Sequence, residues 1–85
     1  MLHNHSMNTM NKPKLTALAY LIALYDNNAE NVGRLLTAHD YPASGASVRN
    51  WHARGVPARA CIVIESATQG AVTREMLRPD IFGEV

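Results

Sequence analysis

Ser44-Gly45-Ala46-Ser47-Val48-Arg49-Asn50-Trp51-His52-Ala53-Arg54-Gly55 is the stretch on which the fold turns. The Ser44 side chain can accept from a free N–H of a helix's first turn, and Gly55 suits the position just past a helix end. The segment therefore predicts a helix over 44–54. A helix turns about 100° per residue. With Val48 and Trp51 pointing into a core, Ala46, Arg49 and Asn50 fall on the opposite side and Gly45 at its margin. Trp51 is assigned to the core rather than to a base-stacking platform.

Upstream, Asn28 can cap a helix running from about Ala29 to Ala38, with Val32, Leu35, Leu36 and His39 as its stripe. Asp40-Tyr41-Pro42 ends it, because Pro42 has no N–H to give and pushes Tyr41 toward extended geometry. Further back, Leu15, Leu18, Ile22 and Tyr25 recur at spacings of three and four between Lys14 and Asp26, the pattern of one helix face. Downstream, Pro57 suits a first turn, Ala60, Cys61, Ile64 and Ala67 form a buried side, and Gly70 closes that helix. A short helix over Arg74–Leu77 follows, capped by Thr73 and stopped by Pro79. Only Cys61–Ile64 could read as a strand, and it is too short to outweigh its helical surroundings. The expected fold is all-α, a compact domain of five helices containing a helix-turn-helix.

Residues 1–11 lack apolar periodicity and read as a disordered leader, or as a stretch upstream of the natural start, leaving 12–85 as the folded domain. A chain of 85 residues supports one domain with a thin core, since a domain near this size buries only ~60% of its unfolded surface. The longest unbroken apolar run, Ala17–Tyr25, falls far short of the ~20 residues that span a bilayer. No secretory signal opens the chain, and the one cysteine, Cys61, cannot staple a fold. These features predict a cytoplasmic protein without membrane contact, nucleoid-associated when bound to DNA.

The net charge of +1 says little, but its distribution says more. Between Tyr41 and Ile64 there is no Asp or Glu, while Arg49, Arg54 and Arg59 are present. Two helices joined by a turn, the second carrying exposed polar and basic residues, meet the geometric demand of reading the major groove of double-stranded DNA. Arg49 can give two hydrogen bonds to guanine O6 and N7, and Asn50 can pair with adenine N6 and N7. The shortness of Gly45 and Ala46 permits close approach, Ser44 sits where a helix N-terminus favours a phosphate, and Arg54 extends the basic stripe. On spacing alone, the same residues equally describe a solvated helix face with an ordinary cap.

Three further blocks carry a resemblance. Ser47-Val48-Arg49-Asn50-Trp51, then Arg54-Gly55-Val56-Pro57-Ala58-Arg59, then the run from Ile64 to Phe82 resemble the Cro/YdaS-like helix-turn-helix regulators of lambdoid prophages, across roughly residues 34–83. The resemblance implies a lambda-repressor-like fold and a sequence-specific DNA-binding regulator, usually a repressor of phage or prophage genes. It carries the family's small residue of the first motif helix onto Ala38, its inward aliphatic onto Val48 and its aromatic onto Trp51. The chain departs at the turn, where relatives usually have a glycine and this sequence has Pro42. It departs again at Gly45 and Ala46, where relatives often place longer polar side chains.

No metal, cofactor or enzymatic activity is expected. His3 and His5 lie in the leader, and His39 and His52 fall in different elements without a cysteine pair or carboxylate spacing beside them. Cys61 reads as a small buried hydrophobe rather than a nucleophile, and His39-Asp40 adjacency does not orient an imidazole as catalytic pairs do. The rival function is an antitoxin-like protein-interaction module using apolar helix surface, with Leu21 and Leu24 as the motivation, although that surface could instead pack under the last helix. A homo-oligomer, dimer or higher, is expected on an operator of two half-sites, with Leu21, Leu24 and Ile81-Phe82 as contact candidates.

Overall fold

The computed structural model describes residues 16–83; the expected leader 1–11, and Lys14 and Leu15 of the first helical stripe, lie outside the described residues. Six helices follow in order among those residues: α1 Ala17–Leu24, α2 Ala29–Ala38, α3 Gly45–Arg54, α4 Ala58–Ala67, α5 Arg74–Leu77 and α6 Pro79–Phe82. No strand occurs among them, and none of their helices is long and apolar enough to cross a membrane.

Side-chain caps set the starts of four of these helices. Thr16 Oγ1 accepts from Ala19 N–H at 3.0 Å, Asn28 Oδ1 from Glu30 N–H at 2.9 Å, Ser44 Oγ from Ser47 N–H at 3.1 Å and Thr73 Oγ1 from Met76 N–H at 3.2 Å. Each satisfies a donor that has no partner within its own helix. Pro57 stands just before α4 rather than inside its first turn, a difference of one residue at an element boundary. The sixth helix arises because Pro79, expected to stop the chain's helical run, occupies the first position of α6. A missing N–H costs nothing there, and the ring presets the backbone.

The turn from α2 to α3 is built without glycine. Tyr41 N–H donates to Leu36 O at 2.9 Å and Asp40 N–H to Thr37 O at 3.1 Å, while Asp40 takes φ 65°. This is the Schellman ending of a helix, with an aspartate in the left-handed position that glycine usually fills. Pro42 therefore does not replace the turn's left-handed residue. It lies two residues beyond, in the irregular chain between α2 and α3, and Ala43 is then pinned by Thr37, whose Oγ1 accepts from Ala43 N–H at 3.3 Å and donates to Ala43 O at 3.4 Å.

The core runs through every helix except α6: Leu18, Leu21, Ala29, Val32, Leu36, Val48, Trp51, Val56, Ala60, Cys61, Ile64, Val72 and Leu77. The α2–α3 pair shares the most extensive contact, α4 packs on α2 and α5, and α1 packs on α2 and α5. Three sequence readings are corrected here. In α1 the fully buried residue is Leu21, whereas Ile22 and Tyr25 are only partly buried: the helix packs on α2 and α5 with its Leu18–Leu21 side buried. Ala38 is exposed; the small residue at the α2–α3 approach is Gly33, whose Cβ, if present, would lie 2.8 Å from Ala43 O. His39 is exposed at the end of α2 rather than part of its buried stripe.

Candidate nucleic-acid interface

Helix α3 is anchored by Val48, fully buried, and Trp51, 9% exposed, which fixes its rotation about its own axis. Ala46, Arg49, Asn50 and Arg54 are consequently exposed, and Ser47 is half-buried between the two sides. Of the six residues singled out from the sequence, Ser44, Ala46, Arg49, Asn50 and Arg54 lie on the surface at or along α3.

Gly45 is the exception: it is buried, not at the margin of an exposed face. A Cβ there would meet Glu30 Cδ and Oε2 at 2.5 Å. The absent side chain thus admits Glu30 of α2 rather than a base edge. The Ser44 hydroxyl is also engaged, accepting from Ser47 N–H and donating to Ser47 Oγ at 3.2 Å. Its role is to close the start of α3.

The electrostatics of this face are not those of arginines alone. Arg49 Nη1 lies 3.9 Å from Glu30 Oε2, with the two side chains 57% and 54% exposed. Exposure on both partners and a separation beyond hydrogen-bond length make this a loose pair, worth about 0–1 kcal/mol. The Arg59 guanidinium stands 5.9 Å from the centre of the Tyr41 ring, a cation–π contact between the start of α4 and the turn before α3. Arg34, exposed on α2, donates to Asn31 Oδ1 at 2.7 Å.

Behind the face, Arg78 donates from Nη1 to Val56 O at 2.9 Å and pairs through Nη2 with Asp80 Oδ2 at 2.7 Å. This fastens the tail to the chain just past Gly55, which ends α3 at φ 92°. The Arg78 guanidinium holds the Asp80 carboxyl below the usual carboxylate range. In the same way the Arg74 side chain, and then its backbone N–H, hold the Glu65 carboxyl low, through bonds of 2.7 Å and 3.2 Å. The Arg74–Glu65 pair joins α4 to α5, and the Arg78–Val56 hydrogen bond joins the tail to the chain just after α3. They are structural rather than part of the exposed face.

Cys61 is fully buried, with its Sγ 3.8 Å from Val56 O, and burial pushes its thiol up, which suits packing and not nucleophilic attack. Among the described residues no three His, Cys, Asp or Glu side chains gather as a metal site would need. Exposed apolar surface occurs elsewhere, at Tyr20 and Leu24 on α1, Ile62 on α4, Met76 on α5 and Ile81 on α6. Of the contact candidates read from the sequence, Leu21 lies wholly inside the core and Phe82 packs against it, leaving Leu24 and Ile81 on the surface.

Two features of the face were not found from the sequence: Glu30 reaching over α3, and Gly33 at the α2–α3 approach. A glycine inside a helix, which costs helical propensity, was the available signal for close contact at Gly33, whereas Gly45, at the first position of α3, carried no such signal.

A protein-family model described as bacterial toxin YdaS matches residues 33–85, from the middle of α2 through the tail. No curated protein and no solved structure matches the chain.

Proposed function

The chain belongs to the family described as bacterial toxin YdaS, and from that premise we propose that it is a sequence-specific double-stranded DNA-binding regulator, a Cro-like prophage repressor that acts without catalysis. In this reading α2 and α3 form the helix-turn-helix, and α3 lies in the major groove. The observation that carries it is the rotation of α3. With Val48 and Trp51 buried, Arg49 and Asn50 are both exposed, and these side chains have the bidentate chemistry that reads guanine and adenine. Ala46, exposed one turn earlier, keeps the helix start slim. Arg54 and Arg59 are exposed at the end of α3 and the start of α4, where they can contact phosphate.

A single copy makes few base contacts and neutralises few phosphates, so the working form in this reading is at least a dimer on two half-sites about one helical turn apart. Binding measured by fluorescence anisotropy, on duplexes from the chain's own upstream region and on scrambled duplexes, tests the proposal. Selective, salt-sensitive binding is the expected result. Equal affinity for all duplexes, or none, would refute it.

A second reading has its own observation. Tyr20 and Leu24 leave apolar surface on α1, and Tyr20 lines a shallow groove with Thr16, Ala17 and Met76, as an antitoxin-like protein-interaction module would present. The family's description names a toxin. If expression of the chain slows growth, Arg49→Ala with Asn50→Ala should abolish the effect under the DNA reading. Under the interaction reading that effect should survive these changes and depend on α1.

A further inference from the structure

We propose that Glu30 is a specificity-determining residue of the α3 face, one that weakens contact with DNA in general more than contact with the right site. The inference rests on the DNA-binding reading above and deepens it. Two observations place the carboxylate. Gly45 is buried beneath the Glu30 side chain, and a methyl at that position would fall 2.5 Å from its Cδ. The same carboxylate lies 3.9 Å from the Arg49 guanidinium. No acid occurs between Tyr41 and Ile64, so the negative charge at the start of α3 comes from α2, through space left open by a glycine.

The chemistry of that arrangement separates correct from incorrect sites. Both side chains are more than half exposed, so water and salt screen the pair and Arg49 can leave it at small cost. Against a guanine, O6 and N7 replace the carboxylate as acceptors for Arg49. Against any other duplex Arg49 finds only phosphate, an acceptor offered alike at every site, and Glu30 faces phosphates whose charge it shares. Cytosine presents N4–H2, a donor suited to a carboxylate, so the Glu30–Arg49 pair is matched to a G·C-containing step. Repulsion is then felt at every site, and compensation only at the right one, which is how a destabilising charge raises selectivity.

The experiment uses the full chain and a duplex selected by it from a random pool, with a scrambled duplex of equal length as the reference. Glu30→Gln keeps the length of the side chain over Gly45 and removes the charge. Affinity for the scrambled duplex should rise roughly fivefold, the effect of one unit charge at about 4 Å in water, and its salt dependence should steepen by about one contact. Affinity for the selected duplex should rise less, so the ratio between the two falls. Gly45→Ala, whose methyl displaces the Glu30 carboxylate, should move both affinities the same way. An unchanged ratio in both variants overturns the inference while leaving the DNA-binding reading intact. Lost affinity for the selected duplex with no gain on the scrambled one overturns it too, since Glu30 would then act by attraction at the right site and not by repulsion elsewhere. If the wild-type chain selects no duplex, the DNA-binding reading fails and this inference with it.

Discussion

Replacing Gly33 by alanine adds one methyl to a buried position on α2, and the structure gives that methyl no room. It would lie 2.8 Å from Ala43 O, 3.1 Å from Ser44 C and 3.3 Å from Ala43 C, all backbone atoms. The obstructing chain cannot swing aside as a side chain would. Ala43 is held at both its N–H and its carbonyl by Thr37 Oγ1, and Ser44 is committed to capping α3. Overpacking of this kind costs ~1–3 kcal/mol, and the gain in helix propensity from removing a glycine offsets up to ~1 kcal/mol of it. A net loss of about 1–2 kcal/mol should lower Tm by roughly 5–15 °C in a domain of this size. Gly45→Ala is the matched control, because the atoms its methyl would meet belong to the flexible end of Glu30. That variant should be as stable as the wild type or more so. Thermal unfolding followed by circular dichroism on all three proteins decides it. A Gly33→Ala variant at least as stable as Gly45→Ala would refute the close approach of α2 to the turn, and with it the placement of α3.

Trp51→Ala should cost ~3–5 kcal/mol, the usual price of truncating a buried tryptophan, a large share of what a domain this small has to lose; an unchanged unfolding midpoint would put Trp51 on the surface and reverse the facing of α3. Arg49→Ala should lose ~1–3 kcal/mol of discrimination at one base pair; an equal loss on every duplex would make Arg49 a phosphate contact instead. The Glu65 and Asp80 carboxyls are held low in the folded protein by Arg74 and Arg78. Unfolded chains therefore bind protons to them more tightly, so the stability they contribute is full above the ordinary carboxylate range and is lost as pH falls through it and below. Urea midpoints between about pH 6 and about pH 3 should fall less steeply in Glu65→Gln than in the wild type, and parallel curves would deny Glu65 that role. Leu24→Lys, at an exposed α1 position, should leave the Tm unchanged while converting a dimer to a monomer by sedimentation; a dimer that survives it uses another face.

The residues legible in the sequence were those whose partners lie within a turn of the chain. Asn28, Ser44 and Thr73 cap the helices they were expected to cap, because a capping oxygen meets an N–H two or three residues ahead. The facing of α3 was legible for a related reason: Val48 and Trp51 are its large apolar residues, so one rotation alone buries both. Helix α1 offered no such choice. Its sequence Ala17-Leu18-Ala19-Tyr20-Leu21-Ile22-Ala23-Leu24 is apolar on every side, so periodicity could not say that Leu21 rather than Ile22 turns inward. The helices packed against it, α2 and α5, made that decision. The same limit applies at the candidate site. Arg49 and Asn50 announce themselves by chemistry, whereas Gly45 contributes an absence, which has no periodicity, and Glu30 reads locally as an ordinary acid in the first turn of α2, where the helix dipole favours it. Only the packing of α2 on α3 brings that acid to the arginine. A face read from its own helix therefore shows what attracts a partner, and what opposes one becomes visible only when the neighbouring helix is in place.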